Sequence, residues 1–246
     1  TMKQYIYADN AATTKLDNDA FEAMKPFLLE DYGNASQPYA FARKPKKALA
    51  EARALIADCI GALPEEIYFT SGGTESDNWA IKCFGLRNDV RRVYTSAIEH
   101  HAVLNADKNA TRLSVNTKGI VLPEVLEEVL SSDDSPVLSC RSMLVSVMLV
   151  NNEIGTIEPI KELAAVAHAH AALFHTDAVQ AVSHIPIDVN ELGIDMLSAS
   201  AHKFNGPKGI GFLYVRKGTN ISPYADGGAQ EQGMRAGTEN IASIVG

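Results

Sequence analysis

Residues 198 to 215 read Ser-Ala-Ser-Ala-His-Lys-Phe-Asn-Gly-Pro-Lys-Gly-Ile-Gly-Phe-Leu-Tyr-Val. Asp195-Met-Leu-Ser-Ala-Ser has the run of apolar and small residues expected of a short buried strand, and Gly211-Phe-Leu-Tyr-Val-Arg reads as a second. Lys203 therefore falls on the turn between two strands. A lysine there, partly desolvated by small neighbours, loses proton affinity, and its free amine can attack a carbonyl to form a Schiff base. A lysine in isolation is ordinarily a solvated surface charge. The adjacent histidine, the small residues and the glycine-rich turn set this one apart.

Upstream of this stretch, strand-like and helix-like segments alternate. Ile67-Tyr-Phe-Thr is β-like, Ser71-Gly-Gly is a tight turn, and a helix starts at Thr74. Glycines let backbone approach a ligand, and the free N–H groups and positive dipole of a helix start favour an anion, with the Thr74 hydroxyl as a further donor. Arg92 to Ile98 reads as a strand leading into Glu99-His-His, where either histidine could stack on a flat ligand. A strand from about Met143 to Val150 ends in Asn151-Asn-Glu-Ile-Gly, a helix covers Ile160 to Ala172, and Leu173-Phe-His-Thr-Asp-Ala-Val-Gln is a strand ending in Asp177 and Gln180. His168 and His170, two residues apart on that helix, read as solvated. The alternation predicts an α/β fold, a mostly parallel sheet with helices on both faces, and polar residues gathered at its carboxyl end.

The amino-terminal region reads as an extended segment and polar turn over residues 5–14, a helix from Asp17 to Leu29 with apolar Phe21, Met24 and Phe27, and a loop at Gly33-Asn-Ala-Ser-Gln-Pro. Ala40 to Ile60 follows as a long helix, with Ala48, Ala52, Leu55, Ile56 and Cys59 on its apolar stripe. Pro45 marks a kink or a late start, since an interior proline costs about 3 kcal/mol. The chain of 246 residues carries a formal charge of -8, which makes nucleic acid an unexpected partner. Its apolar runs are too short to span a membrane and no signal-peptide core opens it, so a cytoplasmic protein is expected. Cys59, Cys83 and Cys140 lack metal-ligand spacing; they argue against a zinc site and read as buried small hydrophobes in a reducing compartment. Ser135 to Ser142 looks like an insertion and has no assigned role.

A lysine, an acidic partner for a ring nitrogen and an anion pocket are together what pyridoxal phosphate requires. Asp177 suits the ring nitrogen, whose protonation a buried carboxylate would sustain. Thr74, Ser200 and His202 suit the phosphate, and Gln180 the ring hydroxyl.

Seven motifs in order carry a resemblance: Tyr7-Ala-Asp-Asn-Ala-Ala-Thr-Thr, Phe69-Thr-Ser-Gly-Gly-Thr-Glu-Ser-Asp-Asn, Glu99-His, Val150-Asn-Asn-Glu-Ile-Gly-Thr-Ile, His175-Thr-Asp-Ala-Val-Gln, His202-Lys-Phe-Asn-Gly-Pro-Lys-Gly-Ile-Gly, and Gly227-Gly-Ala-Gln-Glu-Gln-Gly-Met-Arg-Ala-Gly-Thr-Glu-Asn. The sequence resembles, end to end, the cysteine desulfurases of pyridoxal-phosphate fold type I in the class V aminotransferase superfamily. The resemblance implies that Lys203 bonds the cofactor, Asp177 pairs its ring nitrogen, His100 stacks on the ring and Gln180 contacts its hydroxyl. It also implies that Gly73, Thr74, Ser200 and His202 hold the phosphate, that Asn152 lies beside cofactor and substrate, and that Thr238 reaches the phosphate of a partner subunit in a homodimer. Ala236 and Asn205 stand where serine and an aromatic are usual.

On that resemblance the reaction is conversion of L-cysteine to L-alanine and a protein-bound persulfide, delivered to an acceptor or iron–sulfur scaffold protein. Residues 1–16 would belong to a small domain and 17–246 to the cofactor-binding large domain. The rest of the small domain, the sulfur-accepting cysteine and the carboxylate-binding arginine are expected beyond Gly246, so this stretch alone is expected to be inactive. The alternatives are a selenocysteine lyase or aminotransferase of the same superfamily, and a truncated, non-catalytic cofactor-binding or dimerising module.

Overall fold

The computed structural model of the protein describes residues 6–85, 91–132 and 143–246, so Cys140 and the Ser135–Ser142 segment lie outside the described residues. In chain order come α1 (Asn18–Leu29), α2 (Arg43–Cys59), β1 (Ile67–Thr70), α3 (Gly73–Cys83), β2 (Arg92–Ser96), the short α4 (His101–Leu104) and β3 (Thr111–Leu113). Then follow α5 (Pro123–Ser131), β4 (Met143–Ser146), α6 (Ile160–Ala169), β5 (Leu173–Asp177), β6 (Met196–Ser200), β7 (Gly211–Val215) and α7 (Ile241–Val245).

The strands form one sheet in the order β1-β7-β6-β5-β4-β2-β3. β7 runs antiparallel to both its neighbours, β1 and β6, and the remaining pairings are parallel. Side-chain alternation gives the sheet two apolar faces. Val145, Phe174, Leu197, Ala199, Phe212 and Tyr214 face a core closed by α2, α5, α6 and α7. Val93, Leu144, Met196, Leu213 and Val215 face the other way, onto Trp79 and Ile81 of α3 and Val103 of α4. The expected helices on both faces of a mostly parallel sheet are thus present.

The helix ends follow local chemistry. Asp17 caps α1 by accepting from the Asp19 N–H at 2.7 Å. α2 starts late, preceded by a 3-10 turn at Ala40–Ala42, so Pro45 sits in its first turn, where a backbone N–H would have no helical partner. The apolar stripe of α2 is rotated from the expected one. Leu55 and Cys59 are exposed, while Pro45 and Ala57 are buried and Leu49 and Ile56 pack against the core. Cys59 is therefore not a buried hydrophobe; Cys83 is half-buried. β4 ends at Ser146 rather than Val150, although the chain keeps reaching β5 beyond it, with the Val147 N–H on the His175 carbonyl and the Leu149 N–H on the Asp177 carbonyl, while the intervening Met148 N–H goes to the Glu99 carboxyl. α6 ends at Ala169; His168 is exposed, as expected, and pairs with Asp195 at 2.8 Å, while His170, which caps the helix, is half-buried and pairs with Glu127 at 3.0 Å. Among the described residues no helix is long and apolar enough to cross a membrane.

Candidate active site

β3 and β4 flank β2 on opposite sides, so the strand order switches beside β2, and in open α/β sheets the crevice outside the carboxyl ends of such strands takes the ligand. A cavity of about 670 Å³ lies there, a size suited to a small ligand or cofactor. His100 follows β2, Met148 and Asn152 follow β4, Asp177 ends β5, and Ser200, His202 and Lys203 come from the end of β6; all line the cavity. Gly73, Thr74 and Gln180 line it too. Thr238 does not; it is exposed on the loop before α7. Of the two adjacent histidines only His100 faces the cavity, and its Nδ1 accepts from the Ala102 N–H at 3.1 Å, which leaves the proton of a neutral ring on Nε2.

The glycine turn is shaped by close approach. Gly72 has φ 146°, a backbone angle side chains avoid. A Cβ on Gly211 of β7 would fall 2.7 Å from the Gly72 Cα and 2.3 Å from the Ala199 carbonyl oxygen, so β7 passes beneath the turn only as glycine. Gly72, Gly73 and Thr74 line the cavity at the start of α3, where the first N–H groups of a helix have no helical partners of their own. Glu75 braces the turn, accepting from the Ser71 N–H at 3.1 Å and the Ser71 hydroxyl at 2.5 Å and pairing with Arg235 Nε at 2.8 Å. Burial would raise the Glu75 proton affinity, but the hydrogen bonds from Arg235 and Ser71 outweigh it and hold the carboxyl below its ordinary range.

Lys203 ends a 3-10 turn, Ala201–Lys203, and its Nζ donates to the carbonyls of Ala11 and Ala12, at 2.9 Å for Ala12. Gln180 Nε2 donates to the Ala11 carbonyl as well, at 2.8 Å. The amino-terminal segment is stitched onto this turn: Thr14 N–H to the His202 carbonyl at 2.9 Å, His202 Nδ1 with Thr13 Oγ1 at 3.0 Å, and Asp17 N–H to the Asn205 carbonyl at 2.8 Å. Burial lowers the proton affinity of Lys203, against the opposing charges of Asp177 and Asp9. Burial also lowers that of His202, reinforced by the Lys203 and Lys208 charges.

The floor of the site is a buried polar cluster. Asp177 accepts from the Val179 N–H at 2.9 Å; burial raises its proton affinity while Val179, His100 and Lys203 pull the other way. Asp77 on α3 was not foreseen. It is 1% exposed, lines the cavity, and has no hydrogen-bond partner on either carboxyl oxygen. Burial and the Asp177 charge push its proton affinity well up. Ligand atoms of Asp77, His100 and Asp177 lie within 4.8 Å of one another, a spacing that would also suit a cation, and the charge of Lys203 acts on Asp177. Beneath them His175 holds Ser146 Oγ at 2.8 Å on Nδ1 and Ser198 Oγ at 2.9 Å on Nε2, and burial pushes its pKa down to about 3, so the ring is neutral. Glu99 accepts from Ser96 Oγ at 2.5 Å and from the Met148 N–H at 3.0 Å, and burial pushes it up to about 8. The sequence carried one signal for Asp77: a carboxylate on the stripe Gly73, Asp77, Ala80 and Ile81, which is otherwise apolar or small.

An α/β protein with a lysine, a carboxylate and a glycine anion turn converging on one crevice is the architecture of a pyridoxal-phosphate enzyme of fold type I. The chain belongs to the class-V aminotransferase family, whose model matches residues 6–246, and that family is pyridoxal-phosphate dependent. It is 51% identical to the cysteine desulfurase IscS of Dictyoglomus turgidum over 254 aligned residues, covering 100% of this chain and 62% of the relative. Among solved structures, a NifS-like protein matches with a TM-score of 0.91 and 38% identity, over 98% of this chain and 67% of its own. SspA in complex with cysteine matches with a TM-score of 0.89 and 39% identity, over 98% of this chain and 70% of its own. The chain thus spans about three fifths of the length of its curated relative.

Proposed function

We propose that this chain is the cofactor-holding part of a cysteine desulfurase, an enzyme that takes sulfur from L-cysteine as a protein persulfide and leaves L-alanine. The observation that carries the reading is the convergence of Lys203, Asp177 and the Gly72–Gly73 turn on one 670 Å³ cavity at the strand ends, beside relatives that bear this name.

The residues fit pyridoxal phosphate. When bound, that cofactor supplies an electron sink for negative charge at the substrate Cα. Lys203, with its lowered proton affinity, is the amine that bonds it. Asp177 would face the ring nitrogen and favour its protonated form, and His100, which lines the cavity, would lie against the ring. Gln180 would meet the ring hydroxyl, and Gly73, Thr74, Ser200 and His202 would hold the phosphate. Asn152 lies beside cofactor and substrate. Thr238, outside this cavity, serves the phosphate of a second copy in a homodimer. Residues 1–16 belong with the small domain, and the product sulfur goes to an acceptor such as an iron–sulfur scaffold in the cytoplasm. Neither described cysteine, Cys59 or Cys83, lines the cavity, so neither is assigned the persulfide.

Borohydride reduction of the cofactor-loaded native-length protein, followed by peptide mapping, tests the assignment. Reduced pyridoxyl is expected on Lys203 and absent in Lys203→Ala. Covalent capture that survives Lys203→Ala overturns it.

A further inference from the structure

Asp77 has no part in the roles above, yet it is the most anomalous group in the site. Its carboxyl is 1% exposed, opens on the cavity, and lacks a hydrogen-bond donor on either oxygen. It stands within 4.8 Å of both Asp177 and His100. A buried carboxylate without donor or counter-ion is too costly to persist, so such a group keeps its proton or finds a cation.

The groups around the two aspartates decide which carries charge. Toward Asp177 come the Val179 N–H, His100 from the turn after β2, and Lys203 from the turn after β6. Toward Asp77 come Glu99 from the β2 turn, His175 from β5 and Ser198 from β6. His175 Nε2 is 3.8 Å away and neutral, and the Ser198 hydroxyl is engaged with that same nitrogen at 2.9 Å. His100 stands within 4.8 Å of both aspartates, but the Val179 N–H and the Lys203 charge act on Asp177. We propose that Asp77 is a positioning residue: it retains the one proton shared by the two carboxyls and turns it toward Asp177, which stays the charged member that meets the ring nitrogen. Resting as it does on the proposed cofactor site, this makes α3 contribute to the phosphate at its first turn and to the ring nitrogen one turn later. Burial and the repulsion of Asp177 both raise the proton affinity of Asp77, in keeping with that assignment.

Two measurements on the native-length protein test this. Carbon-13 NMR of carboxyl-labelled aspartate, without and with cofactor, is expected to show a buried protonated carboxyl near neutral pH that disappears in Asp77→Asn. Its disappearance in Asp177→Asn alone, or ionised signals for both residues, overturns the proposal. Nitrogen-15 NMR of ring-labelled pyridoxal phosphate is expected to show a protonated ring nitrogen titrating alike in the native protein and Asp77→Asn, whose amide also donates. In Asp77→Leu it should deprotonate at least about one pH unit lower, a tenfold loss of proton affinity. Equal titration in Asp77→Leu, or an equal downward shift in Asp77→Asn, overturns the proposal. Failure of the native protein to take up the cofactor would instead sink the cofactor site, while the carbon measurement still decides where the proton sits. The asparagine variant decides the matter should the leucine variant not fold.

Discussion

Replacing Glu231 with alanine should cost more stability than any other single change in the loop of residues 227–238. Its carboxylate accepts from Arg53 Nη1 at 2.9 Å, Arg53 Nη2 at 2.6 Å and the Phe69 N–H of β1 at 2.7 Å. The Glu231 and Arg53 side chains are only 3% and 15% exposed. Arg53 also donates to the Ile67 carbonyl and lies over the Phe69 ring at 4.8 Å. Opposite charges about 4 Å apart attract by roughly 4 kcal/mol at an effective dielectric near 20. Removing one partner leaves the other charge and the Phe69 N–H unpaired, which brings the expected loss to about 3–5 kcal/mol. Residue 231 adopts φ 46° and ψ 48°, left-handed geometry that costs any L-residue about 1–2 kcal/mol. Glu231→Gly should therefore lose about 1 kcal/mol less than Glu231→Ala. Urea unfolding followed through Trp79, the chain's one tryptophan and wholly buried, reads this directly. With a slope of about 2–3 kcal/mol/M the midpoint should fall by more than about 1 M. A loss below about 1 kcal/mol, or an Arg53→Ala/Glu231→Ala double variant as unstable as the sum of the singles, would refute the reasoning.

Glu99 should make stability fall with rising pH. Its folded pKa of about 8 lies above the ordinary 4.5, so the native state holds the extra proton between those values and stability is lost as pH climbs through them. His175 acts oppositely, since its unfolded form takes up the proton between about 3 and 6.5, and its contribution is complete above that window. From pH 6.5 to 8 the native protein should lose about 2 kcal/mol relative to Glu99→Gln, at about 1.4 kcal/mol per unit; parallel denaturation curves for the two would contradict this. Gly211→Ala should cost about 1–3 kcal/mol, because both the Gly72 backbone and the Ala199 carbonyl obstruct the new methyl, and it should weaken cofactor retention; a melting temperature like the native one would show that the turn yields freely. Asp177→Asn in the native-length protein should still bind cofactor but release alanine from cysteine at least about a hundredfold more slowly, some 2.7 kcal/mol of transition-state stabilisation. Turnover close to native would hand the ring-nitrogen role to another group.

What was legible in the sequence is what depends on neighbours along the chain. The Lys203 turn between two strands, the glycine turn opening α3 and the strand ending in Asp177 are each local patterns, and the structure brings all three to one cavity. The phase of α2 was not legible. Two overlapping stripes share Ala52 and Ile56, the expected one adding Ala48, Leu55 and Cys59 and the observed one Pro45, Leu49 and Ile60. Packing against β1 and against α7, which is distant in sequence, selects the second. The end of β4 was hidden for a similar reason, since the Met148 N–H just beyond it is taken by the carboxyl of Glu99, 49 residues earlier in the chain.

The charge state of the site floor was hidden for a further reason, because it is a property of the cluster and of no residue in it. Asp77, Asp177, Glu99 and His175 would carry three negative charges and a partial positive one if each titrated as in water. Burial makes His175 neutral and raises all three carboxyls. Asp177 is the carboxyl with an amide donor, His100 and Lys203 all set against its rise. With the proton on Asp77 as proposed, one carboxylate faces one half-buried ammonium, a neutral arrangement that a dry site can hold. A ligand that brings its own acidic N–H finds the single anion already directed at the cavity, and the neutral acids around it can donate or accept without adding charge.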